Sequence, residues 1–232
     1  MVKENMIKKI GVRVLEDNKI FALFGNREFS SEKFRKNPEA FDFYAKNKFP
    51  VIQPNQVHSD NVVWIDNLEN FNQKTFDADG IITNLHNCYL SIKTADCIPI
   101  FLYDPLNNIV GAIHAGREGI RLNIIGKAIN LMKAKGSCYQ NIKVAIGPAI
   151  SVSYYPVKPL IHKEFINDTG IEQYPFKLDL RKVLYFQLKA YGIKNIIDVN
   201  ICTWKNDDFF SYRKEHTQER QLNFIGMINE TI

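Results

Sequence analysis

The apolar residues of this chain fall mainly into short runs that end at turn-forming residues, a pattern typical of β-strands. Two central runs occupy residues 98–103 and 109–113, and the segment DPLNN at 104–108 separates them. Because Asp, Pro and Asn favour turns, the two runs are predicted to form a β-hairpin. Cys97 precedes the first run and His114 follows the second. The hairpin is therefore expected to bring Cys97 and His114 together at one end of a sheet.

Helical spacing of apolar residues predicts one helix over residues 120–134. Gly116 and Gly119 lie just before it, so its N-terminus and free N–H groups are expected beside Cys97 and His114.

Two further helices are predicted from their capping residues. Asp179 is the predicted N-cap of one, and Gly192 lies just past its end. Asn37 and Pro38 mark the predicted start of the other. The apolar side of the helix after Asp179 is formed by Leu180, Val183, Leu184, Leu188 and Tyr191.

Strands and helices alternate irregularly, which favours an α+β fold with mixed β-sheets layered with helices. No linker divides the chain, so residues 1–232 are expected to form a single domain. No type is predicted for residues 150–157 or for the C-terminal segment. The other predicted strands are 10–15 and 19–24 as a hairpin, 62–65, 81–83, 89–94, 142–146 and 195–199.

Composition narrows the class of protein only modestly. The chain has 232 residues, 45% of them hydrophobic, and a formal net charge of +5. The lysines form no dense stripe, so no nucleic-acid partner is expected. The N-terminal segment lacks the apolar core of a signal peptide, and no run approaches the roughly 20 apolar residues of a membrane span. We therefore expect a cytoplasmic protein without membrane attachment. Its four cysteines are widely spaced, so no disulfide framework is expected.

His58, Cys97 and His114 are candidate metal ligands. One thiolate and two imidazoles form a set that zinc accepts, and three protein ligands leave a coordination position for water or substrate, as in catalytic zinc sites. Two other interpretations use the same residues. Cys97 could be a core thiol and His114 a hydrogen-bonded strand residue. Alternatively, Cys97 is the nucleophile of a cysteine hydrolase with His114 as base, oriented by Asp79 or Asp96, a scheme with no use for His58.

The remaining histidines, His86, His162 and His216, are expected at the surface. Arg213 follows an aromatic run and offers a planar donor to phosphate or carboxylate, or else pairs with Asp207 or Asp208 at the surface. Among the other cysteines, Cys88 and Cys138 are expected to be structural or exposed, and Cys202 to pack in the core.

Eight motifs occur together in this chain, and their order resembles that of the YfiH-like family. The resemblance runs from about residue 20 to the C-terminus. Members of this family were long described as polyphenol oxidases or laccase-domain proteins and are now regarded as purine nucleoside phosphorylases. The motifs are QVHSD at 56–60, DADGIIT at 77–83, TADCIPI at 94–100, HAGREGI at 114–120, IGPAI at 146–150, LDLRKVLYFQL at 178–188, ICT at 201–203 and FFSYR at 209–213.

The resemblance implies a single α+β domain with a zinc site formed by His58, Cys97 and His114. It also implies cleavage of adenosine, inosine or guanosine by phosphate to the free base and ribose 1-phosphate. Some members deaminate adenosine or act on methylthioadenosine. Purine nucleosides and phosphate are thus the expected partners, and copper is a less favoured metal than zinc.

The sequence departs from the family pattern around the metal ligands. Arg117 stands where the family usually has Trp, and Glu118 stands where it has a basic residue. Pro156 replaces an acid, and His216 replaces a glycine. We hypothesise that Arg117, Arg121 and Arg213 bind the phosphate.

Three alternatives to a zinc-dependent phosphorylase follow from the same residues. These are a copper-dependent polyphenol oxidase, a cysteine hydrolase using Cys97, and a degenerate protein that binds a nucleoside or a protein partner. The oxidase is disfavoured because a chain with five histidines lacks the several His-rich motifs of multicopper oxidases.

Overall fold

The computed structural model describes residues 11–15, 19–36, 49–68 and 75–229. Within these ranges the strands are β1 Gly11–Arg13, β2 Ile20–Gly25, β3 Val51–Ile52, β4 Val62–Ile65, β5 Gly80–Thr83, β6 Tyr89–Thr94, β7 Ile98–Asp104, β8 Ile109–Ala115, β9 Lys143–Ile146, β10 Asn195–Asp198 and β11 Gln221–Met227. The α-helices are α1 Ser31–Lys36, α2 Arg117–Arg121, α3 Ile124–Ala134, α4 Pro159–Thr169, α5 Leu180–Ala190 and α6 Tyr212–Glu215. No helix in these ranges combines the length and apolarity needed to cross a lipid bilayer.

The strands form two mixed sheets. One has the order β1-β2-β11-β6-β3, and the other has the order β10-β9-β7-β8-β5-β4. Most neighbouring strands are antiparallel, but β3 with β6, β4 with β5, and β9 with β10 are parallel. The prediction of an α+β fold with mixed sheets and helices is confirmed.

Side-chain alternation along β7 shows how the layers pack. Ile100 and Leu102 belong to the core between the six-stranded sheet and the helices. Phe101 and Tyr103 belong to the core between the two sheets. Phe101 stacks there on Phe24 of the other sheet, with ring centroids 4.3 Å apart. The strand is buried on both faces, which explains its nearly continuous apolar sequence.

The central hairpin is confirmed. β7 and β8 pair antiparallel, with Ile98 opposite Ala115 and Pro99 opposite His114. The Asp104 carboxylate accepts hydrogen bonds from the backbone N–H groups of Leu106 and Asn107, which stabilise the turn. The end of β8 therefore lies beside the start of β7, where Cys97 is located.

The prediction of one helix over residues 120–134 is wrong. α2 ends at Arg121, and α3 begins at Ile124. Between them Asn123 adopts a left-handed conformation with φ of 59°, and its side chain accepts a hydrogen bond from the Gly126 N–H. Asn tolerates this conformation better than most residues, so it ends one helix and caps the next.

Other predicted elements agree with the structure or lie outside its described part. The β1–β2 pair confirms the N-terminal hairpin. Asp179 accepts the Lys182 N–H as the N-cap of α5, and Gly192 follows that helix with φ of +70°. The helix predicted to start at Asn37 lies outside the described residues. In the segments without a prediction, Val152–Tyr154 is a 3₁₀-helix and β11 is a strand within the five-stranded sheet.

Candidate metal centre

His58, Cys97 and His114 come together at one end of the six-stranded sheet. Their potential ligand atoms all lie within 4.8 Å of one another. Cys97 directly precedes β7, His114 is on β8, and His58 is in the loop before β4. The His58 and His114 rings meet edge to face with centroids 4.9 Å apart. His114 is buried and His58 is exposed, so the cluster opens to solvent on the His58 side.

Asp79 holds two of the three candidate ligands in place. Its buried carboxylate accepts hydrogen bonds from the backbone N–H groups of Val57, His58 and Ser59, at 3.3, 3.1 and 2.6 Å. The Ser59 hydroxyl donates to the same carboxylate at 2.8 Å. His58 itself has φ of 59°, and these bonds stabilise the loop that holds it in this conformation.

Asp79 also orients His114. The Nδ1 atom of His114 lies 2.7 Å from an Asp79 oxygen. An Nδ1–H that donates to this carboxylate leaves Nε2 as the free nitrogen of the ring. A carboxylate behind a histidine in this way is the common support of metal-binding imidazoles, since it fixes the tautomer and the ring orientation.

The charges of the cluster reinforce one another. Burial alone would raise the pKa of the Asp79 carboxyl, but hydrogen bonds from His114 and Ser59 outweigh burial and hold the pKa below its usual value. Burial would likewise raise the pKa of Cys97, but His114 and His58 beside the sulfur lower the pKa to about 6. Burial would lower the pKa of His114, but Cys97 and Asp79 raise it to about 9, so without a metal ion the pair favours a thiolate beside an imidazolium. A bound metal ion would replace the imidazolium proton, and a thiolate is the form of cysteine that binds metals.

Gly116 leaves room for these ligands at the end of β8. A Cβ atom at this position would lie 3.2 Å from the Cys97 sulfur and 3.3 Å from Cδ2 of His58. Any larger residue would therefore crowd two of the ligands. Helix α2 begins directly after Gly116, three residues before the predicted start at residue 120, and Arg117 is its first residue.

The donor set fits a single soft or borderline metal ion. Zinc binds Cys sulfur and His nitrogen at about 2.0–2.3 Å, so atoms within 4.8 Å of one another need only a small displacement to share one ion. Three protein ligands leave a fourth position open. Within the described ranges this is the one group of His, Cys, Asp or Glu with such geometry. The structure thus contains a possible metal site, formed by the three residues that the sequence indicates as candidate ligands.

The two arginines of α2 are held by carboxylates. Glu118 accepts hydrogen bonds from Nε of Arg117 and from Nε of Arg121, both at 2.8 Å. Arg121 also donates through Nη1 to Asp168 at 2.5 Å. The sequence alone does not predict the pair of Arg121 with Asp168, because Asp168 lies on α4, 47 residues further along the chain.

Arg213 lies against Tyr155. Its guanidinium lies 5.0 Å from the centre of the Tyr155 ring and donates to the Pro156 carbonyl at 3.1 Å. The pairing with Asp207 or Asp208 does not form, because Asp207 binds Lys214 instead. The Arg213 backbone N–H donates to Asp96, whose other carboxylate oxygen accepts from the Thr203 hydroxyl.

Tyr155 is a site residue that the sequence did not single out. Burial raises its pKa to about 12, with a further contribution from Cys97, while Arg117 and Arg213 act in the opposite direction. Its direct contact in this region is with the Arg213 guanidinium, which lies over its ring. Its sequence signal was weak, because it lies in a segment without a regular pattern.

The remaining histidines and cysteines lie outside this cluster. His216 is exposed, whereas His86 and His162 are half-buried, so the surface prediction is confirmed fully for His216 alone. Cys138 is exposed, and Cys88 is buried with its pKa raised to about 11 by burial. Cys202 is partly buried, with its sulfur 3.2 Å from the Ser151 hydroxyl.

Comparison with known proteins gives the family. Residues 30–228 match the family model described as multi-copper polyphenol oxidoreductase laccase. The chain is 32% identical over 179 residues to purine nucleoside phosphorylase Cj1217c of Campylobacter jejuni, covering 73% of this chain and 74% of that protein. It is 30% identical over 196 residues to a purine nucleoside phosphorylase of Aquifex aeolicus, covering 84% of this chain and 88% of that protein.

Solved structures show the same fold. The protein YfiH of Bacillus licheniformis superposes with a TM-score of 0.83 at 22% identity, over 94% of this chain and 96% of that one. NMB0706 of Neisseria meningitidis gives a TM-score of 0.79 at 22% identity, over 94% and 98%. The family-model match over residues 30–228, with relatives at 30% identity or more, shows that the chain belongs to the laccase-like YfiH family, as its motifs predict.

Proposed function

We propose that this protein is a zinc-dependent purine nucleoside phosphorylase. The observation that carries the proposal is the cluster of His58, Cys97 and His114, supported by Asp79, in a chain about 30% identical to proteins named purine nucleoside phosphorylases. The reaction would cleave adenosine, inosine or guanosine with phosphate to the free base and ribose 1-phosphate. Adenosine deamination and methylthioadenosine cleavage are further activities that the same site could support.

His58, Cys97 and His114 would hold the zinc ion. Zinc would supply a Lewis acid that stabilises negative charge on a substrate oxygen. Asp79 keeps the proton on Nδ1 of His114, so that Nε2 stays available as a ligand. The exposed side of the cluster at His58 gives the substrate its access, and the buried side at His114 excludes water.

We assign the binding of phosphate to Arg117, Arg121 and Arg213. Arg117 follows Gly116, which lies against the metal ligands, and Arg213 lies over Tyr155. Arg121 lies one turn further along α2 and is already bound to Glu118 and Asp168. Phosphate held by such planar donors would be positioned for attack on C1 of the ribose. We expect the three arginines to share the phosphate, with Arg117 and Arg121 now bound to Glu118.

A copper oxidase receives less support from the site. Multicopper oxidation needs several copper ions that pass electrons among them, whereas the described residues offer one cluster with three ligands. The cysteine hydrolase is also less favoured, because His58 lies within the cluster and has no role in a triad.

Metal analysis of the purified protein, paired with chromatography of adenosine and inosine incubated with and without phosphate, tests the proposal. We expect about one zinc per chain and a base release that requires phosphate. The Cys97→Ser variant should lose the bound zinc and the phosphate-dependent release of base. The Cys138→Ser variant, changed at an exposed thiol, should keep the zinc and the activity. Inosine formed from adenosine without phosphate would reveal deamination. Bound zinc without any conversion of either nucleoside would contradict the phosphorylase.

A further inference from the structure

A cavity of about 380 Å³ lies beside α2, between this helix and α4. Arg117 and Arg121 line it together with three carboxylates, those of Glu118, Glu164 and Asp168. The cavity therefore has one more negative than positive side chain. Two arginines on one wall suit an anion such as phosphate, but the surplus of carboxylates opposes it.

Glu118 occupies the position that an anion would take between the two arginines. One of its oxygens accepts from Arg117 and the other from Arg121, at 2.8 Å each. A phosphate oxygen pair would bind the same two guanidinium groups in the same manner. The Glu118 side chain is about one-third exposed, with a relative accessibility of 33%, so it can rotate into solvent without leaving the helix.

We infer that Glu118 is an internal competitor for phosphate, which sets the affinity of the arginine pair by occupying it. This inference rests on the proposed function and identifies the residue that regulates its anion site. Phosphate binds by displacing the Glu118 carboxylate from Arg117 and Arg121. Asp168 keeps Arg121 in position during this exchange through its own contact with Nη1.

Within the described residues, Arg117 makes no protein hydrogen bond through its two terminal nitrogens, and its one side-chain bond is to Glu118. Release of Glu118 thus frees the whole guanidinium edge of Arg117 toward the cavity. Glu164 provides a matched control. It lines the same cavity, but in the described part of the chain it pairs with neither arginine.

The test is calorimetric titration of the zinc-loaded protein with inorganic phosphate, in the absence of nucleoside. Glu118→Gln should bind phosphate about tenfold more tightly than the wild type, as expected for the loss of one charge-assisted competitor. Glu118→Ala, which removes the acceptor altogether, should bind at least as tightly. Glu164→Gln removes the same charge from the same cavity and should change the dissociation constant by less than about twofold. Thermal unfolding checks that each variant is folded.

Equal affinities for Glu118→Gln, Glu118→Ala and the wild type would overturn the inference. An equal gain in phosphate affinity in Glu164→Gln would also overturn it, since this would show that any lost negative charge in the cavity strengthens phosphate binding. The measured affinity for phosphate does not depend on whether the protein cleaves nucleosides. Tighter phosphate binding without nucleoside cleavage would support the role of Glu118 and refute the phosphorylase, whereas turnover with unchanged phosphate affinity would do the reverse.

Discussion

At the scale of single residues, the sequence alone predicts the candidate metal ligands but not the carboxylate that supports them. Cys97 and His114 border two strands that form a predictable hairpin, so their proximity follows from local pattern. Asp79 acts through a pairing of β5 with β8 that places Gly80 opposite Ile113. This pairing joins distant parts of the chain, and no local spacing indicates it. The sequence alone therefore indicates Asp79 only as an orienting residue of a hydrolase.

Asp79→Asn tests how far zinc binding depends on the residue behind the ligands. The amide has no charge to balance an imidazole and presents N–H donors to backbone N–H groups. We expect the affinity for zinc to fall about 10- to 100-fold, in the range found for changes behind metal-bound histidines. Competition against a zinc-binding dye measures this.

Asp66→Asn is the matched control for this change, because Asp66 is exposed and lies away from the cluster. It should leave zinc affinity unchanged. Unaltered affinity in Asp79→Asn would show that His58, Cys97 and His114 are oriented without the carboxylate.

At the scale of elements, the sequence predicts the existence of most strands correctly but not their exact ends. It gives no prediction where buried polar residues interrupt the apolar pattern. β11 is buried throughout, yet it contains Gln221 and Asn223. The Gln221 side chain accepts from the Phe210 N–H, and Asn223 donates to Ile92 and Thr94. The Gln221 side chain and the Asn223 amide nitrogen thus find partners on other elements, whereas the buried Asn223 amide oxygen has none among the described residues. The sequence of this segment therefore lacks the regular alternation that would predict a strand.

The break between α2 and α3 gives a prediction about stability. Asn123 combines a left-handed conformation with an N-cap. Asn123→Ala loses the side-chain cap and tolerates the left-handed conformation poorly. It should lower the free energy of unfolding by about 2–3 kcal/mol. Asn123→Gly loses only the side-chain cap and should cost about 1 kcal/mol or less. Asn123→Asp keeps the acceptor and should be nearly neutral.

Urea denaturation of the three variants measures this order. If Asn123→Gly were as destabilised as Asn123→Ala, the left-handed conformation would carry no cost in the alanine variant, and the break would depend on the cap alone.

At the scale of the whole molecule, the two sheets share the core between them, and this contact is the basis for treating the chain as one domain. Phe24 from the five-stranded sheet and Phe101 from the six-stranded sheet stack with an interplanar angle of 5°. Both side chains are fully buried. We propose that the sheets unfold as one cooperative unit, since separating them would expose this core to water.

A double-mutant cycle tests this coupling. Phe24→Leu and Phe101→Leu should each lower the free energy of unfolding. The double variant should lower it by less than the sum of the two single effects. The expected coupling is about 0.5–1.5 kcal/mol, the range for a packed aromatic pair. Phe101→Leu combined with Phe224→Leu is the matched control, because Phe224 belongs to a different buried cluster. That pair should be additive within about 0.5 kcal/mol. Additivity at Phe24 and Phe101, or two separate unfolding transitions by circular dichroism and tryptophan fluorescence, would show that the sheets are stabilised independently.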